Sequence, residues 1–287
     1  MDLRIKTRAR NYTLSQDLIP TLPLTNLQIG PSLDMPSKVV EAIILQVKLY
    51  GEADLIVEFF SSQWGRMMGI AKGAKKSKKR FVHCLEPLNW VRLNLFEKQN
   101  FSLVRIDQGE LIEPFQGIHK DFRKWGQAAY FCEMTKELFA IGDPNPSVFK
   151  LVRESLRVLE QEKEEQDIFY IFQIRLLQLA GYALYLNSCL NCGKKIEAIH
   201  DPFFSLSRGG VFCPNCLKGE NGIRLSPGAV QSIRQSMNMQ LPNVFRVRFT
   251  QAIRGEIEYL LKSFNCQIMG KELGSARYLK QLQEVYG

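Results

Sequence analysis

Two closely spaced pairs of cysteines carry the strongest chemical signal in the sequence. Cys189 and Cys192 form the first pair, Cys213 and Cys216 form the second, and twenty residues lie between the pairs. Zinc prefers tetrahedral coordination by thiolates, and a spacing of two residues lets both sulfurs of a pair reach one ion. Gly193 follows the first pair, where a tight turn favours a positive φ. Because four cysteines complete the coordination shell and leave no position for water or substrate, the spacing predicts one structural Zn²⁺ ion.

Two other interpretations of these cysteines stay open. A redox role for Cys213 and Cys216 requires a βαβ context, which the surrounding pattern lacks, and the thiols could also be reduced and free of metal. Cys84, Cys132 and Cys266 are isolated and are expected to be small apolar residues, buried or half-buried. The sequence shows no stretch that resembles a signal peptide and no apolar run of transmembrane length. These features favour metal ligands over disulfides and predict a cytoplasmic protein without a membrane partner.

A basic segment is the second candidate site. The chain has a net charge of +9 and a sequence pI near 9.2, a balance expected of a protein that binds nucleic acid. Six cations fall within nine residues, and a loop of this kind could follow a sugar-phosphate backbone as a flexible arm without reading bases. The alternative is a run of solvated surface charges. The six residues are Lys72, Lys75, Lys76, Lys78, Lys79 and Arg80.

The elements that must position these residues change in character along the chain. Residues 1–36 are interrupted by prolines and predicted to be disordered, and translation could instead begin at Met35. Five β-rich runs then fall within residues 37–116, which predicts a small closed sheet, either an OB-type barrel or an SH3-like one. The runs are residues 39–47, 55–60, 66–71, 90–96 and 101–112.

The fourth run alternates between apolar and mixed residues. Val91, Leu93 and Leu95 share one face, which is expected to point into the barrel. The other face could supply a platform on which bases stack beside a cation, or its aromatic rings could pack beneath the following helices. That face carries Trp90, Arg92, Asn94 and Phe96. Weaker candidates for the same electrostatic track are Lys48, Arg66 and Arg105.

From about His119 the apolar period becomes helical, which predicts an α-helical domain over residues 117–287. Ser226 followed by Pro227 predicts a helix start, and Pro146 is expected in the first turn of another helix. The acidic residues within 160–167 are expected to form a solvated helix end. Two apolar stripes support the helices: Phe122, Trp125, Ala129 and Cys132, and then Ile168, Phe172, Leu176 and Leu179.

The predicted fold class is therefore a multidomain α+β protein. Its OB-type barrel comes first, and a helical domain follows with the four-cysteine zinc module embedded in it at about residues 187–224. The sequence resembles RecO, a bacterial recombination-mediator family. The resemblance rests on residues 41–57, 69–81, 85–88, 225–228 and 271–279, and on the two cysteine pairs with Gly209-Gly210 between them. It covers roughly residues 38–285 in the same order.

The resemblance implies a protein that is not an enzyme. It implies binding of single- and double-stranded DNA, annealing of complementary strands, and help in loading RecA onto strands coated by single-strand-binding protein, with RecR as a partner. The acidic tail of single-strand-binding protein would need cations beside an apolar groove. Candidates on the predicted helices are Arg123, Lys124, Lys136 and Arg175. The resemblance does not extend to the first 36 residues. Residues 274–277 read Gly-Ser-Ala-Arg where members often have an additional basic residue, so the contact role of Arg277 stays open.

Two rival functions remain. A zinc-dependent nuclease or other hydrolase needs an open metal site or clustered carboxylates, and a four-cysteine site provides neither. The sequence also shows no P-loop and no nucleophile elbow. A zinc-ribbon transcription or ribosome factor is the other alternative, and it would prefer promoter DNA or structured RNA.

Overall fold

The computed structural model describes residues 37–96, 103–161, 166–182, 184–217 and 221–286. The predicted disorder of residues 1–36 lies outside this part of the chain. Within it, no helix combines the length and the apolar character that a membrane span requires.

Five strands form a closed barrel at the start of the described chain. They are β1 (Ser37–Tyr50), β2 (Asp54–Ser61), β3 (Gly65–Ala71), β4 (Trp90–Phe96) and β5 (Val104–Glu113). Strand β1 pairs antiparallel with both β2 and β4, and the parallel pairing of β3 with β5 closes the ring. Closure removes the exposed strand edges that an open sheet would present to other chains. The predicted OB-type barrel is confirmed.

The alternation along β4 sorts its residues as expected. Val91, Leu93 and Leu95 point inward and are fully buried. Trp90, on the opposite face, is also buried, because the guanidinium groups of Arg153 and Arg157 lie 5.1 and 4.7 Å from its ring centroid. The interpretation in which Trp90 packs beneath a helix is therefore correct, and this ring is not a stacking platform for bases.

Seven α-helices follow the barrel in the part of the chain that the structure describes. They are α1 (Gln116–His119), α2 (Phe122–Leu138), α3 (Pro146–Gln161), α4 (Gln166–Leu179), α5 (Pro227–Asn238), α6 (Gln251–Met269) and α7 (Gly274–Tyr286). Three short strands lie between α4 and α5: β6 (Phe203–Ser205), β7 (Gly210–Phe212) and β8 (Gly222–Arg224). They form one small sheet in the order β7-β6-β8.

The helix starts follow the predicted capping chemistry, with one correction. The Ser226 hydroxyl accepts a hydrogen bond from the Ala229 N–H, and Pro227 occupies the first turn of α5. Pro146 opens α3 as predicted. His119, in contrast, ends the short α1, and the Asp121 carboxylate caps α2 instead. A carboxylate at this position satisfies N–H groups that have no partner within the helix.

One of the two predicted apolar stripes is buried as expected, and the other is partly exposed. In α4, Ile168, Phe172 and Leu176 are fully buried, as expected. In α2, Phe122 is 70% exposed and Trp125 is 38% exposed, so the first stripe is only partly right. The core-facing side of α2 instead carries Ala128, Tyr130, Phe131 and Met134.

Outward-facing residues of the barrel join the hydrophobic core of the helices, while a separate cluster fills the barrel. Ile43, Phe60 and Trp90 from the barrel join the same buried cluster as Phe131 and Phe139 from the helical part. The rings of Phe60 and Phe139 meet edge to face with centroids 6.1 Å apart. Side chains from both sides of residue 116 pack together, so this packing does not mark a boundary there. The predicted domain boundary between residues 116 and 117 stays a prediction.

A buried carboxylate joins the barrel to α2. Glu58 on β2 accepts a hydrogen bond from Arg66 Nε at 2.5 Å and forms an ion pair with Lys136 Nζ at 3.3 Å. Arg66 also donates to the carbonyls of Lys136 and Phe139 at the end of α2. Cations at this position interact favourably with the negative end of the helix dipole. Arg66 and Lys136 are therefore used inside the fold, which makes them poor candidates for nucleic-acid or partner contacts.

Replacement of Glu58 tests this connection. Glu58→Ala leaves two partly buried cations without their carboxylate, and we expect the free energy of unfolding to fall by about 3 kcal/mol. Urea unfolding measures the change. The matched control is Glu110→Ala, which removes an exposed partner of Arg92 and is expected to cost less than about 1 kcal/mol. Equal losses in the two variants would show that the Glu58 network does not anchor α2.

Candidate metal centre and nucleic-acid interface

The four predicted cysteine ligands converge in the segment between α4 and α5. The Sγ atoms of Cys189, Cys192, Cys213 and Cys216 all lie within 4.8 Å of one another. In the described part of the chain this is the one cluster of potential ligands that could hold a metal ion. The first pair lies in the loop that follows α4, and the second pair follows β7 directly. We call the segment that carries them, residues 184–217, the cysteine module.

Backbone hydrogen bonds hold the two pairs together. The Leu190 N–H donates to the Val211 carbonyl at 2.9 Å, which fixes the first loop beside β7. The Gly193 N–H donates to the Cys189 carbonyl at 3.0 Å, and Gly193 has a φ of 72°, as its position predicted. In the second pair the Cys216 N–H donates directly to the Cys213 carbonyl at 2.9 Å.

Local donors favour the thiolate form of Cys189. Burial opposes ionisation of this thiol, but hydrogen bonds from the backbone N–H groups of Cys192, Cys213 and Asn191 outweigh it and lower the pKa of Cys189 to about 6. The Cys213 N–H lies 3.4 Å from the Cys189 Sγ. A thiolate is the form that binds metal. Burial and the neighbouring thiols raise the pKa of Cys213 to about 11, so metal binding at this cluster would release protons. The cluster therefore has the geometry of a closed, four-cysteine metal site.

The other three cysteines lie outside this cluster. Burial raises the pKa of Cys84 to about 11 and that of Cys132 to about 12, as expected for inert apolar thiols. Cys266 is exposed on α6, so the expectation that it would be buried or half-buried is wrong.

The basic segment is a folded turn. Lys72, Lys75, Lys76, Lys78 and Lys79 are all exposed. The turn is anchored on the start of β2: the Gly73 N–H donates to Asp54 Oδ1 at 2.7 Å, the Lys75 N–H donates to the Ala53 carbonyl at 3.0 Å, and Ala74 is buried. The predicted flexible arm is therefore an anchored loop that presents five lysines, and we call it the basic loop.

Arg80 has a different role from these lysines. Its guanidinium donates to the Lys72 carbonyl at 2.6 Å and to the Asp107 carbonyl at 3.4 Å, and it forms an ion pair with the Asp107 carboxylate. These contacts tie the end of the basic loop to its beginning and to β5. Arg80 thus holds the loop in its conformation. Its guanidinium is therefore less available for the predicted DNA contact than the ammonium groups of the lysines.

Arg92 lies on an exposed part of the barrel with carboxylates on both sides. It pairs with Glu110 at 2.9 Å and with Glu41 at 3.7 Å. Two carboxylates beside one guanidinium make the local potential unfavourable for a phosphate. With Trp90 buried and Phe96 half-buried, the predicted surface around Arg92 is a poor nucleic-acid platform.

A different face of the barrel combines cations with apolar side chains. Lys48, Ile56, Ile70 and Arg105 are cross-strand neighbours on β1, β2, β3 and β5. The residues that alternate with them, such as Val57 and Ile106, fill the barrel, so this row lies on the outside. We call it the open row, because an exposed Lys48 stands at one end, Arg105 stands at the other, and half-buried aliphatic side chains lie between them. Arg105 also pairs with Asp107 at 3.4 Å, so Lys48 is the more available of the two cations.

Tyr50 extends the open row toward the basic loop. It lies two residues after Lys48 on β1, on the same face, and is 47% exposed. Its cross-strand partner is Asp54, which anchors the basic loop. The sequence interpretation missed Tyr50, because only the strand register shows that it lies beside Lys48 and the loop. An exposed ring next to cations is the arrangement that proteins use to bind single strands.

The cations predicted to bind partners are mostly engaged within the chain. Arg175 donates to the carbonyls of Ser236, Met237 and Met239 at the end of α5, and burial lowers its pKa. Lys124 Nζ donates to the Glu160 carbonyl at 3.2 Å. Arg123 is exposed in the first turn of α2. Arg175 therefore caps a helix, and its predicted role in partner binding is not supported.

A cavity of about 290 Å³ lies among α2, α4, α6 and α7. Its apolar walls include Phe169, Leu261 and Leu279, and Lys262 and Lys280 are exposed lysines in its lining. The buried carbonyl oxygens of Gln127 and Asn265, also in the lining, have no hydrogen-bond donor among the described residues. The cavity thus combines apolar walls with exposed cations.

Comparisons with known proteins agree with this architecture. Residues 35–115 match the family model for the N-terminal part of recombination protein O, and residues 119–277 match that for its C-terminal part. The chain belongs to the RecO family. The DNA repair protein RecO of Syntrophobacter fumaroxidans is 33% identical over 84% of this chain and 96% of its own length. The RecO protein of Syntrophus aciditrophicus is 28% identical over 85% and 96%. That of Caldanaerobacter subterraneus is 35% identical over 61% and 70%.

Proposed function

We propose that this protein is a recombination-repair mediator that binds DNA without sequence preference and anneals complementary single strands. The observation that supports this most directly is the open row, with Tyr50 and the basic loop beside it, on the barrel of a RecO-family chain. In this proposal residues 37–116 are the DNA-binding domain, and residues 117–287 are a helical domain that carries the zinc module. The protein itself is not an enzyme.

A single strand would cross the barrel along the open row. The lysines of the basic loop would contact phosphates, since flexible ammonium groups act as point charges that do not read bases. Ile56, Ile70 and the ring of Tyr50 would contact sugars and bases. Double-stranded DNA would use the lysines but not the ring, because its bases are already stacked.

Annealing needs no catalytic group in this mechanism. Two complementary strands repel each other through their phosphates, and a surface that neutralises part of this charge raises the rate at which they meet. The pairing itself is provided by the bases. The proposal therefore predicts a rate enhancement that depends steeply on salt.

The basic loop gives the first test. When Lys75, Lys76, Lys78 and Lys79 are replaced by Ala, we expect annealing of two complementary oligonucleotides to slow by about tenfold or more at low salt. Fluorescence energy transfer between labelled strands measures the rate. The control replaces four exposed cations of the helical part that no proposed site uses, Lys120, Lys150, Arg246 and Lys271, and so changes the net charge equally.

The control variant should anneal at close to the wild-type rate, because its lost charges lie outside the barrel. Equal slowing in both variants would mean that total charge matters and the loop does not. Tyr50→Ala tests the open row separately: it should weaken single-strand binding by about fivefold or more and leave duplex binding nearly unchanged. Wild-type protein that binds DNA but never anneals it would contradict the proposed function.

We propose that the cysteine module holds one Zn²⁺ ion. Four thiolates favour zinc over harder cations such as Mg²⁺. The ion would hold together the short loops between α4 and α5 and would take no part in a reaction.

Metal analysis of the purified protein tests this assignment. We expect about one zinc per chain, and Cys213→Ser should lower the zinc content and the melting temperature together. Cys266→Ser is the control, because Cys266 is exposed and lies outside the cluster. Full zinc content in Cys213→Ser, or its loss in Cys266→Ser, would contradict the site.

The partners that we propose from the family are RecR, single-strand-binding protein and, indirectly, RecA. The cavity among α2, α4, α6 and α7 suits the acidic tail of single-strand-binding protein better than Arg123, Lys124 or Arg175 does. Lys262 and Lys280 would attract the acidic residues, and the apolar walls at Phe169, Leu261 and Leu279 would contact the apolar side chains of the tail.

A synthetic peptide with the acidic tail sequence tests this docking site. Reversal of both charges, Lys262→Glu with Lys280→Glu, should reduce peptide affinity by about tenfold or more at low salt, with a smaller effect at high salt. Fluorescence anisotropy measures the affinity. Lys150→Glu, an exposed lysine on α3, should leave it unchanged, and an unaffected double variant would place the tail elsewhere.

A further inference from the structure

The first twelve residues of the chain carry cations at alternate positions. Four cations follow one another at every second residue, and an aromatic residue continues the same spacing. Asp2 is the single acidic residue among these twelve. The pattern lies outside the described residues and is a property of the sequence. We call residues 4–12 the N-terminal arm. Its five alternating residues are Arg4, Lys6, Arg8, Arg10 and Tyr12.

The alternate spacing suits a ligand that repeats along its length. Side chains at every second position of an extended backbone point to the same side. Cations spaced in this way would meet successive phosphates of a nucleic acid, and a ring at the same spacing would stack on a base. A run of solvated charges is the alternative, and it requires neither the regular spacing nor the ring.

The N-terminal arm is additional to the part of the chain that resembles RecO proteins. The match to the N-terminal family model begins at residue 35. The function that the family shares therefore does not depend on the arm, and any contribution of the arm is added to it.

The chain that carries the arm enters the barrel at one end of the open row. The strand register places Ser37, the first residue of β1, opposite Phe96, and it places Phe96 opposite Arg105. Directly opposed residues project from the same face. The open row therefore continues beyond Arg105 over these two residues. A single strand that follows the row past Arg105 arrives where residues 1–36 are attached.

The intervening chain is long enough for the arm to meet such a strand. Residues 13–36 separate the arm from Ser37, and their 24 residues span at most about 80 Å. The open row from Lys48 to Arg105 crosses three gaps between strands and is roughly 15 Å long. Attachment to a protein that already holds the strand also raises the local concentration of the arm.

We propose that the N-terminal arm is a second contact for single-stranded nucleic acid, which binds the strand where it leaves the open row beyond Arg105. The four cations contact phosphates, and the ring of Tyr12 stacks on a base. The arm and the barrel bind the same strand, and no contact between them is required. This inference rests on the proposed annealing function and deepens it, because the arm lengthens the stretch of strand that one protein holds.

The salt dependence of single-strand binding tests the arm. Each contact between a cation and a phosphate of a single strand changes the slope of log affinity against log salt by about 0.7. When Arg4, Lys6, Arg8 and Arg10 are replaced by Ala, the slope should become shallower by about three, and the affinity at low salt should fall about tenfold or more. Fluorescence anisotropy of a labelled oligothymidylate measures both quantities.

The matched control is the variant that replaces Lys120, Lys150, Arg246 and Lys271 by Ala. It changes the net charge by the same amount as the arm variant. Since these cations belong to the helical part, the control should keep the wild-type slope and nearly the wild-type affinity. Equal weakening in both variants would show an effect of net charge and would overturn the arm.

Two further variants separate the charges of the arm from the rest of the extension. A chain that begins at Met35 keeps every described residue, and it should behave like the arm variant. Tyr12→Ala keeps all four cations and should weaken binding by about threefold or more with an unchanged slope. Tyr259→Ala, an exposed tyrosine on α6, should have no effect. A chain beginning at Met35 that binds like the wild type would overturn the arm.

The outcomes also separate this inference from the proposed function. If the wild-type protein neither binds nor anneals single strands, the proposed function fails. If the basic-loop variant loses binding while the arm variant keeps the wild-type slope and affinity, the arm is overturned and the proposed function stands.

Discussion

The buried carboxylate of Glu58 determines which part of the barrel remains accessible. It projects from the outer face of β2, where a charge would normally be solvated, and it is buried because α2 covers it. Its two cations come from β3 and from the end of α2. A buried carboxylate without partners would cost several kcal/mol, so the helix cannot shift along the barrel without breaking both contacts.

The position of α2 in turn divides the outer surface of the barrel. The cross-strand row of Gln46, Glu58 and Met68 meets Lys136 of α2. The next row along the strands, from Lys48 to Arg105, lies outside this contact. The row that contacts α2 and the row that a polyanion can reach therefore lie only two residues apart along each strand. The location of the candidate interface follows from this packing.

Features that depend on short spacings could be predicted from the sequence. The cysteine pairs converge because two residues between ligands suit one ion, and the inward face of β4 follows from alternation. The start of α5 follows from Ser226 and Pro227, which need only neighbouring N–H groups. The acidic residues 160–167 show the limit of this reasoning: Asp167, expected in solvent, is buried and pairs with Arg254 at 2.9 Å.

The environment of a candidate cation could not be predicted from the sequence for one physical reason. Arg92 and Arg175 were interpreted from their own strand or helix, but their environment is set by partners distant in sequence. Arg175, for example, meets carbonyls 61 to 64 residues away. The identity of the partner decides whether a cation is accessible, and no local pattern contains that information.

The chemical difference between arginine and lysine explains which cations form contacts within the fold. Arg66, Arg80 and Arg175 each donate to two or more backbone carbonyls, which suits a planar group with several fixed donors. The five lysines of the basic loop are exposed, and an ammonium group on a flexible stem is well suited to contacts with phosphates that need no fixed geometry. Net charge therefore overstates the number of cations that can bind nucleic acid. The surface that remains is lysine-rich, and a lysine-rich surface favours binding that is strong at low salt and indifferent to sequence.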